Sequence, residues 1–146
     1  MSRIAARAII RRGDKLLVMR RDKFGHRYYT LVGGAMKGGE TPEQALAREL
    51  WEETSMKLTH TKPVFKEEAG DPYGTQYIYV CECEGDEPVL APDSEEAAIN
   101  ALGQNLHTPQ WITIEEFKTI PFRSERLQRA ILEGIANGFP ENPTLL

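Results

Sequence analysis

Three glutamates are spaced so that they share one face of a predicted helix. Glu49, Glu52 and Glu53 stand at i, i+3 and i+4, and residues at these spacings are neighbours on a helix surface. Like charges placed this way repel by about 0.2–0.5 kcal/mol for each exposed pair, so helix stability does not explain them. A solvated acidic face is the ordinary explanation of such a cluster. The alternative is a set of hard oxygen ligands for Mg²⁺ or Mn²⁺.

The segment before this helix favours the metal site. A predicted strand ends at Gly33-Gly34, the loop that follows contains Gly38-Gly39, and Glu40 stands just before the helix begins. Glycine lets backbone approach a ligand closely, and Glu40 adds a further carboxylate to the same region. We therefore expect flexible backbone and several carboxylates to meet at one place.

The elements that position these residues are read from local signals. Thr41-Pro42-Glu43-Gln44 is a capping box with proline at the first helical position, and the helix continues to about Thr54. A last helix over residues 124–137 follows from apolar residues at helical spacing and stops at Gly138. Runs of β-forming residues predict six strands, at Ala6–Ile10, Leu16–Met19, Tyr28–Val32, Lys57–Lys66, Thr75–Glu84 and Trp111–Ile114. Strands, a helix, more strands and a helix indicate a mixed α/β domain.

The order of these residues resembles the sequence box of the Nudix hydrolase family. Gly34, five residues, Glu40, seven residues and the run RELWEETSM over 48–56 are similar to G-x5-E-x7-R-E-U-x-E-E-x-G-U, where U is a bulky aliphatic residue. Seven of the nine specified positions match, and Met56 is an acceptable U. Ser55 stands where the family has glycine in a left-handed helix end, a conformation that costs serine about 1 kcal/mol. The resemblance covers residues 4 to about 118.

The resemblance implies a fold and a reaction. The implied fold is an α/β (α+β) domain of the Nudix type, an α/β/α sandwich with a mixed central sheet, and we expect one such domain over residues 1–146. The implied reaction is hydrolysis of a diphosphate linkage in a nucleoside diphosphate derivative, which is a nucleotide sugar, a dinucleoside polyphosphate or an (oxidised) nucleoside triphosphate. Mg²⁺ or Mn²⁺ is the implied cofactor. Pro72 and Tyr73 are similar to contradictory subclass markers and leave the derivative open.

The resemblance also implies roles for individual residues. The implied metal ligands are three carboxylates and one backbone carbonyl, those of Glu49, Glu52, Glu53 and Gly33. Glu40 would bind the ion through water or brace the loop. Arg48 would orient the glutamates by salt bridges and so complete the catalytic set with Glu52 and Glu53.

A general base is expected from outside the helix, because carboxylates bound to metal are poor proton acceptors. The family often supplies one from the segment before the final strand, which here contains Glu95 and Glu96. We expect Glu96, with Glu95 as the alternative, to reach the metal site. The solvated start of a short helix explains both residues equally well.

Candidates for substrate contacts lie in the N-terminal third. Arg20 and Arg21 are candidates to contact phosphates, and Tyr29 is a candidate to stack on a base. Ordinary surface charge and the packing of a strand tyrosine explain the same residues without a ligand.

Composition and charge limit the remaining possibilities. The chain has 146 residues, 40% of them hydrophobic and 27% charged, which suits one globular domain and excludes a low-complexity chain. It contains no long apolar run and no signal-peptide core near its N-terminus, so we expect a cytoplasmic protein without a membrane partner. The formal net charge of −4 disfavours nucleic acid as a partner. A small-molecule nucleotide is the expected partner, and a homodimer is left open.

Two other functions remain as alternatives. A catalytically inactive Nudix-like module would bind a nucleotide for regulation, but it would not need all four box glutamates and Arg48. An RNA-end pyrophosphohydrolase is disfavoured by the acidic balance and by the lack of an extended basic stripe.

Overall fold

The computed structural model describes residues 3–146, so Met1 and Ser2, the first residues of the expected domain, lie outside the described residues. The strands within this range are β1 (Ile4–Ile9), β2 (Arg11–Arg12), β3 (Lys15–Lys23), β4 (His26–Thr30), β5 (Val32–Ala35), β6 (Lys57–Glu68), β7 (Thr75–Glu84), β8 (Asn105–Thr113) and β9 (Thr144–Leu145). The helices are α1 (Pro42–Thr54), α2 (Glu95–Asn100), α3 (Ile114–Phe117) and α4 (Glu125–Asn137).

The first sheet is mixed, as expected, and has five strands in the order β5-β1-β7-β6-β9. β1 runs antiparallel to β5 and parallel to β7, which places Arg7 opposite both Gly33 and Ile78. β6 runs antiparallel to β7 and parallel to β9. β5 is therefore an edge strand, and its glycines are open to the side chains of the helix that follows it.

The second sheet is built around β3. β2, β4 and β8 all pair with β3 in antiparallel register. β2 and β3 form a hairpin, with Arg12 opposite Lys15 and Gly13 in the left-handed region at φ 59°.

The segment predicted as one strand over Tyr28–Val32 is two strands in different sheets. β4 belongs to the second sheet and β5 to the first, and Leu31 alone connects them. Gly33 and Gly34, which were expected to end the strand, lie inside β5. Gly33 has a φ of 129°, and a Cβ there would collide with the backbone carbonyl of Ala6. Glycine is thus required for β5 to approach β1 this closely.

Helices cover both faces of the first sheet. On one face, Leu46 and Leu50 of α1 are buried against Ala8 of β1. On the other face, Ile131 of α4 is buried with Ile78 of β7. Full burial of each such aliphatic side chain contributes about 1.5–3 kcal/mol. The expected α/β/α layering is confirmed.

α1 begins and ends where the sequence predicts. The Thr41 hydroxyl accepts a hydrogen bond from the Gln44 backbone N–H over 3.1 Å, and the Gln44 side chain accepts one from the Thr41 N–H over 2.9 Å. Ser55 ends the helix in the predicted left-handed conformation, at φ 59°. Its hydroxyl donates to the Val89 carbonyl over 2.6 Å, a contact that glycine would not make.

The region before and after β8 differs from the prediction. β8 begins at Asn105 rather than at Trp111, and it ends at Thr113 because that residue caps α3 through a second capping box with Glu116. α2 is a six-residue helix whose cap is Ser94. In the described part of the chain, no helix is both long and apolar enough to cross a membrane.

Candidate active site

Three carboxylates from two helices meet beside β5. Glu49 and Glu53 come from α1, and Glu96 comes from α2, more than forty residues later in the chain. One oxygen atom from each lies within 4.8 Å of those of the other two. Glu49 and Glu53 are buried, and one oxygen of Glu96, Oε2, is buried without a hydrogen-bond partner. We call these three residues the carboxylate cluster.

Glu53 is the most deeply placed member of the carboxylate cluster. Its Oε1 accepts a hydrogen bond from the backbone N–H of Gly33 over 2.6 Å. Burial raises the pKa of the Glu53 carboxyl well above its usual range, and the nearby charge of Glu49 raises it further. A buried carboxylate of this kind needs a positive partner in order to stay ionised.

Glu49 is held between an arginine and a glycine. Its Oε1 accepts a hydrogen bond from Nη1 of Arg48 over 2.7 Å. A Cβ added at Gly34 would lie 2.6 Å from the Glu49 carboxyl carbon, so the missing side chain of Gly34 is what gives this carboxylate its space. Burial raises the pKa of Glu49, although Arg48 opposes the shift.

Arg48, in the middle of α1, connects this helix to the loop that precedes it. Its Nε donates to Glu40 over 2.7 Å, and its Nη2 donates to the Ala35 carbonyl over 3.1 Å. Glu40 also accepts from the Lys37 backbone N–H, and these two bonds lower the pKa of Glu40 to about 2. Of the two roles foreseen for Glu40, its contacts are those of a loop brace.

Glu52 lies outside the carboxylate cluster. Its carboxylate is 3.2 Å from Nη1 of Arg48, and its side chain is 29% exposed. The Gly33 carbonyl, which the resemblance implied as a ligand, accepts a hydrogen bond from Nη1 of Arg7 over 2.9 Å. The structure thus brings Glu49, Glu53 and Glu96 together and leaves Glu52 at the edge of the site.

The carboxylate cluster has the chemistry of a divalent-cation site. Its donors are hard oxygens, two of the carboxyl groups have pKa values raised by burial, and Glu96 presents an unpartnered oxygen. A cation would compensate the buried negative charge of Glu49 and Glu53. Mg²⁺ and Mn²⁺ are the ions that such ligands suit.

A cavity of about 300 Å³ has Arg7 in its lining. Five arginines from three separate stretches of the chain line it, and we call it the arginine pocket. They are Arg3, Arg7, Arg21, Arg123 and Arg126. Tyr28 and Tyr73 add aromatic rings to the same wall.

The three residues predicted to contact substrate lie in different surroundings. Arg21 lines the arginine pocket, whereas Arg20 forms an ion pair with Asp22 at 3.0 Å. Tyr29 is buried in the apolar core with α4, and its neighbour Tyr28 faces the pocket instead.

Comparison with known proteins gives this architecture a family. Residues 1–131 match the family profile described as the NUDIX domain. The chain belongs to the Nudix family. The predicted membership is confirmed, and with it the assignment, at the level of the family, to the Nudix pyrophosphohydrolases.

Sequence relatives of this Nudix chain include longer proteins. It is 30% identical over 81 residues to the NAD-capped RNA hydrolase NudC of Chromobacterium violaceum, a match covering 56% of this chain and 31% of that protein. It is 26% identical over 113 residues to the NAD-capped RNA hydrolase NudC of Pseudomonas entomophila, a match covering 77% of this chain and 37% of that protein. The chain therefore spans about a third of the length of these curated relatives.

Solved Nudix structures share the fold. An ADP-ribose pyrophosphatase from Streptococcus suis superposes with a TM-score of 0.69 at 15% identity, over 100% of both chains. The MutT NUDIX hydrolase from Burkholderia pseudomallei superposes with a TM-score of 0.65 at 19% identity, over 88% of this chain and 95% of that one. At these identities the comparison establishes the fold alone.

Two arginines near the candidate site, Arg7 and Arg123, were not singled out by the sequence analysis. Arg7 stands in the apolar run IAARAI of β1, and a single charge in a buried strand is the signal that marks it. Its guanidinium donates to Gln76 and to the carbonyls of Leu31 and Gly33. Arg123 follows the short stretch after α3 and carries no local signal at all.

Proposed function

We propose that this chain hydrolyses a diphosphate linkage in a nucleoside diphosphate derivative, using Mg²⁺ or Mn²⁺ held by Glu49 and Glu53 beside Glu96. The observation that carries the proposal is the meeting of these three carboxylates within 4.8 Å, in a chain of the Nudix family. Such a cluster is costly without a cation, because two of its members are buried.

Some residues of the chain orient the carboxylates of the site, and another accepts a proton. When bound, a divalent ion supplies charge neutralisation of the diphosphate and acidification of the attacking water. The Gly33 N–H fixes the orientation of Glu53, and Arg48 fixes that of Glu49. Glu96 has a free oxygen beside both, so we assign it the role of accepting the proton from water.

Glu52, Arg48 and Glu40 support this arrangement from outside. Arg48 contacts both Glu40 and Glu52 and so holds these two carboxylates at the edge of the site. Glu52 would complete the ligand set from that edge. The Gly33 carbonyl accepts one hydrogen bond from Arg7 and keeps a second lone pair with which it would hold the ion.

The proposal is tested by hydrolysis of a nucleotide panel with Mg²⁺, with Mn²⁺ and with excess chelator. The panel contains ADP-ribose, a dinucleoside polyphosphate, 8-oxo-dGTP and NAD. We expect turnover of at least one compound with either ion, its loss in chelator, and its loss in Glu53→Gln. Turnover in excess chelator contradicts the role of the metal. A folded protein that binds a nucleotide but hydrolyses nothing supports the regulatory module instead.

NAD-capped RNA is a second candidate substrate. The observation that favours it is the 30% identity over 81 residues to a protein of that printed name, although the match covers only 31% of that protein. The test is to compare the hydrolysis of NAD-capped RNA with that of free NAD at equal concentration. A higher kcat/KM for the capped RNA supports this candidate, and a higher value for NAD contradicts it.

A further inference from the structure

We infer that the arginine pocket binds a phosphate group of the substrate other than the two phosphates of the scissile diphosphate. This inference rests on the proposed function, since it assumes that the diphosphate itself is placed at the carboxylate cluster. The substrate class that follows is a nucleotide with at least one additional phosphate.

The charge of the pocket is the first part of the argument. Five arginines line it against one carboxylate, that of Glu67, in a chain whose formal net charge is −4. Glu67 is 2% exposed and is already engaged by the Ser124 hydroxyl and by Nε of Arg126, 3.3 Å away. The excess positive charge of the pocket is therefore not neutralised by the residues that line it, and an anion would neutralise it.

The donor groups of the pocket are the second part. Arg7 is bound by the protein at two of its three guanidinium nitrogens, because Nε donates to Gln76 and Nη1 donates to the carbonyls of Leu31 and Gly33. Arg21 donates to Asn105 from Nη2 over 2.7 Å, but its Nε is buried and has no hydrogen-bond partner. A buried guanidinium nitrogen without an acceptor is costly, and a ligand oxygen would satisfy it.

Arg123 supplies the second free donor. Its guanidinium lies 4.2 Å from the ring centre of Tyr28 and 5.4 Å from that of Tyr73. Within residues 3–146 it forms no ion pair with a carboxylate, so its N–H groups are available at the cavity. Two tyrosine rings hold the guanidinium by stacking and leave its edge for a ligand.

The chemistry of these donors selects phosphate. The planar guanidinium presents paired N–H groups that match two oxygens of one phosphate, and hydrogen bonds between charged partners are about twice as strong as neutral ones. The rings of Tyr28 and Tyr73 offer flat surfaces for a sugar or a base beside that phosphate. Both features together fit part of a nucleotide rather than a small inorganic anion.

The position of the pocket makes this phosphate an additional one. Arg7 lines the pocket and donates to the Gly33 carbonyl, while the Gly33 N–H donates to Glu53 of the carboxylate cluster. The pocket and the cluster are therefore connected through a guanidinium whose Nε and Nη1 are bound by the protein. A diphosphate neutralised at the cluster leaves Arg21 and Arg123 for another anionic group of the same molecule.

The test is calorimetric binding in excess chelator, with AMP, ADP, adenosine 2′,5′-bisphosphate, adenosine 3′,5′-bisphosphate and inorganic phosphate as probes. We expect one of the two bisphosphates to bind at least about tenfold more tightly than AMP, the factor that one charged hydrogen bond gives. ADP is the control for a phosphate that only completes a diphosphate, and a preference for ADP alone overturns the inference. In Arg21→Gln and in Arg123→Gln the preference should fall below about threefold.

Arg11→Gln is the matched control, since Arg11 is exposed on the β2–β3 hairpin and, among residues 3–146, its side chain forms a hydrogen bond only with the Gly13 carbonyl. It should retain the preference. Equal affinity for AMP and every doubly phosphorylated probe overturns the inference, as does a preference that survives in both pocket variants or an inorganic phosphate affinity equal to that of the bisphosphates. Because binding is measured without divalent ion, a chain that keeps the preference but hydrolyses nothing contradicts the proposed function alone.

Discussion

The backbone N–H of Gly33 donates to Oε1 of Glu53 over 2.6 Å, so an edge strand fixes the position of a helical carboxylate. The carbonyl of the same glycine accepts a hydrogen bond from Nη1 of Arg7. A positive φ at Gly33 allows this geometry, and any side chain there would collide with the backbone of β1. Glu53 is therefore oriented by a backbone N–H, and a side chain introduced at a neighbouring position would not take the place of this donor.

Glu53→Gln should lower the turnover number at least about 100-fold in saturating Mg²⁺ and leave the fold intact. The amide keeps the hydrogen-bond acceptor for Gly33 but loses the charge that holds the cation. Steady-state kinetics with the substrate found in the nucleotide panel measures the change. A loss of folding without a loss of turnover per folded molecule would show that Glu53 is structural.

The same variant should change how stability depends on pH in the absence of metal. The pKa of Glu53 in the folded protein lies above its usual value near 4.5, so the folded state binds the extra proton. The stability from this proton is present below pH about 4.5 and is lost as the pH rises through the raised pKa. Glutamine does not titrate, so Glu53→Gln should become increasingly more stable than the wild type from pH 5 to pH 8. Urea unfolding in chelator measures the difference, and a constant difference would be contrary to this account.

Glu96→Gln should reduce the turnover number by about 10²–10⁴, the range for removal of a general base. Glu95→Gln is the matched control, because Glu95 is exposed at the preceding position of α2. We expect the control to keep the wild-type rate at saturating Mg²⁺. Equal losses in the two variants would indicate a general effect of charge on α2, and equal retention would place the base elsewhere.

Ser55→Gly should leave the free energy of unfolding within about 0.5 kcal/mol of the wild type. Glycine adopts the left-handed conformation at about 1 kcal/mol less than serine, but it loses the hydrogen bond from Ser55 to the Val89 carbonyl, which contributes about 1 kcal/mol. Ser55→Ala keeps the strain and loses the hydrogen bond, so it should be less stable by about 1 kcal/mol. Thermal unfolding of both variants tests the balance, and a clear gain for glycine would mean that the hydroxyl contributes little.

His107 should make the protein less stable as the pH falls below neutrality. Burial, together with the charge of Arg21, lowers the pKa of His107 from 6.5 to about 4. Its contribution to stability is present above pH 6.5 and is lost as the pH falls through about 4. Between pH 7.5 and pH 5 the wild type should lose about 2 kcal/mol more than His107→Gln in urea unfolding. Equal losses in the two proteins would contradict a buried neutral histidine.

What the sequence predicts well is what local contacts determine. The capping box at Thr41, the extent of α1 and the left-handed Ser55 all depend on residues within one or two turns of each other. The placement of Glu49, Glu52 and Glu53 on one helix was therefore predicted correctly. The separation of Glu52 from Glu53 was not visible, because it depends on which side of the helix β5 covers.

What the sequence leaves undetermined depends on contacts between distant segments. The residues 28–32 form one continuous β-forming run, and nothing local shows that the chain changes sheets at Leu31. Glu95 and Glu96 are equivalent in sequence, and the docking of α2 through paired hydrogen bonds between Asn100 and His107 distinguishes them. The arginine pocket joins residues from both ends of the chain, so no motif describes it.

The single-residue joint at Leu31 limits how a chain of this kind diversifies. Successive residues of a strand face opposite sides, so an insertion or deletion between β4 and β5 would turn Gly33 away from Glu53. The β6–β7 loop, which contains Tyr73, borders the arginine pocket and lies away from the carboxylate cluster's ligands on α1 and α2. Changes of length in that loop would reshape the wall around the ligand while the carboxylates stay in place. Related chains that differ in the length of this loop would bind different nucleotides and keep the same reaction.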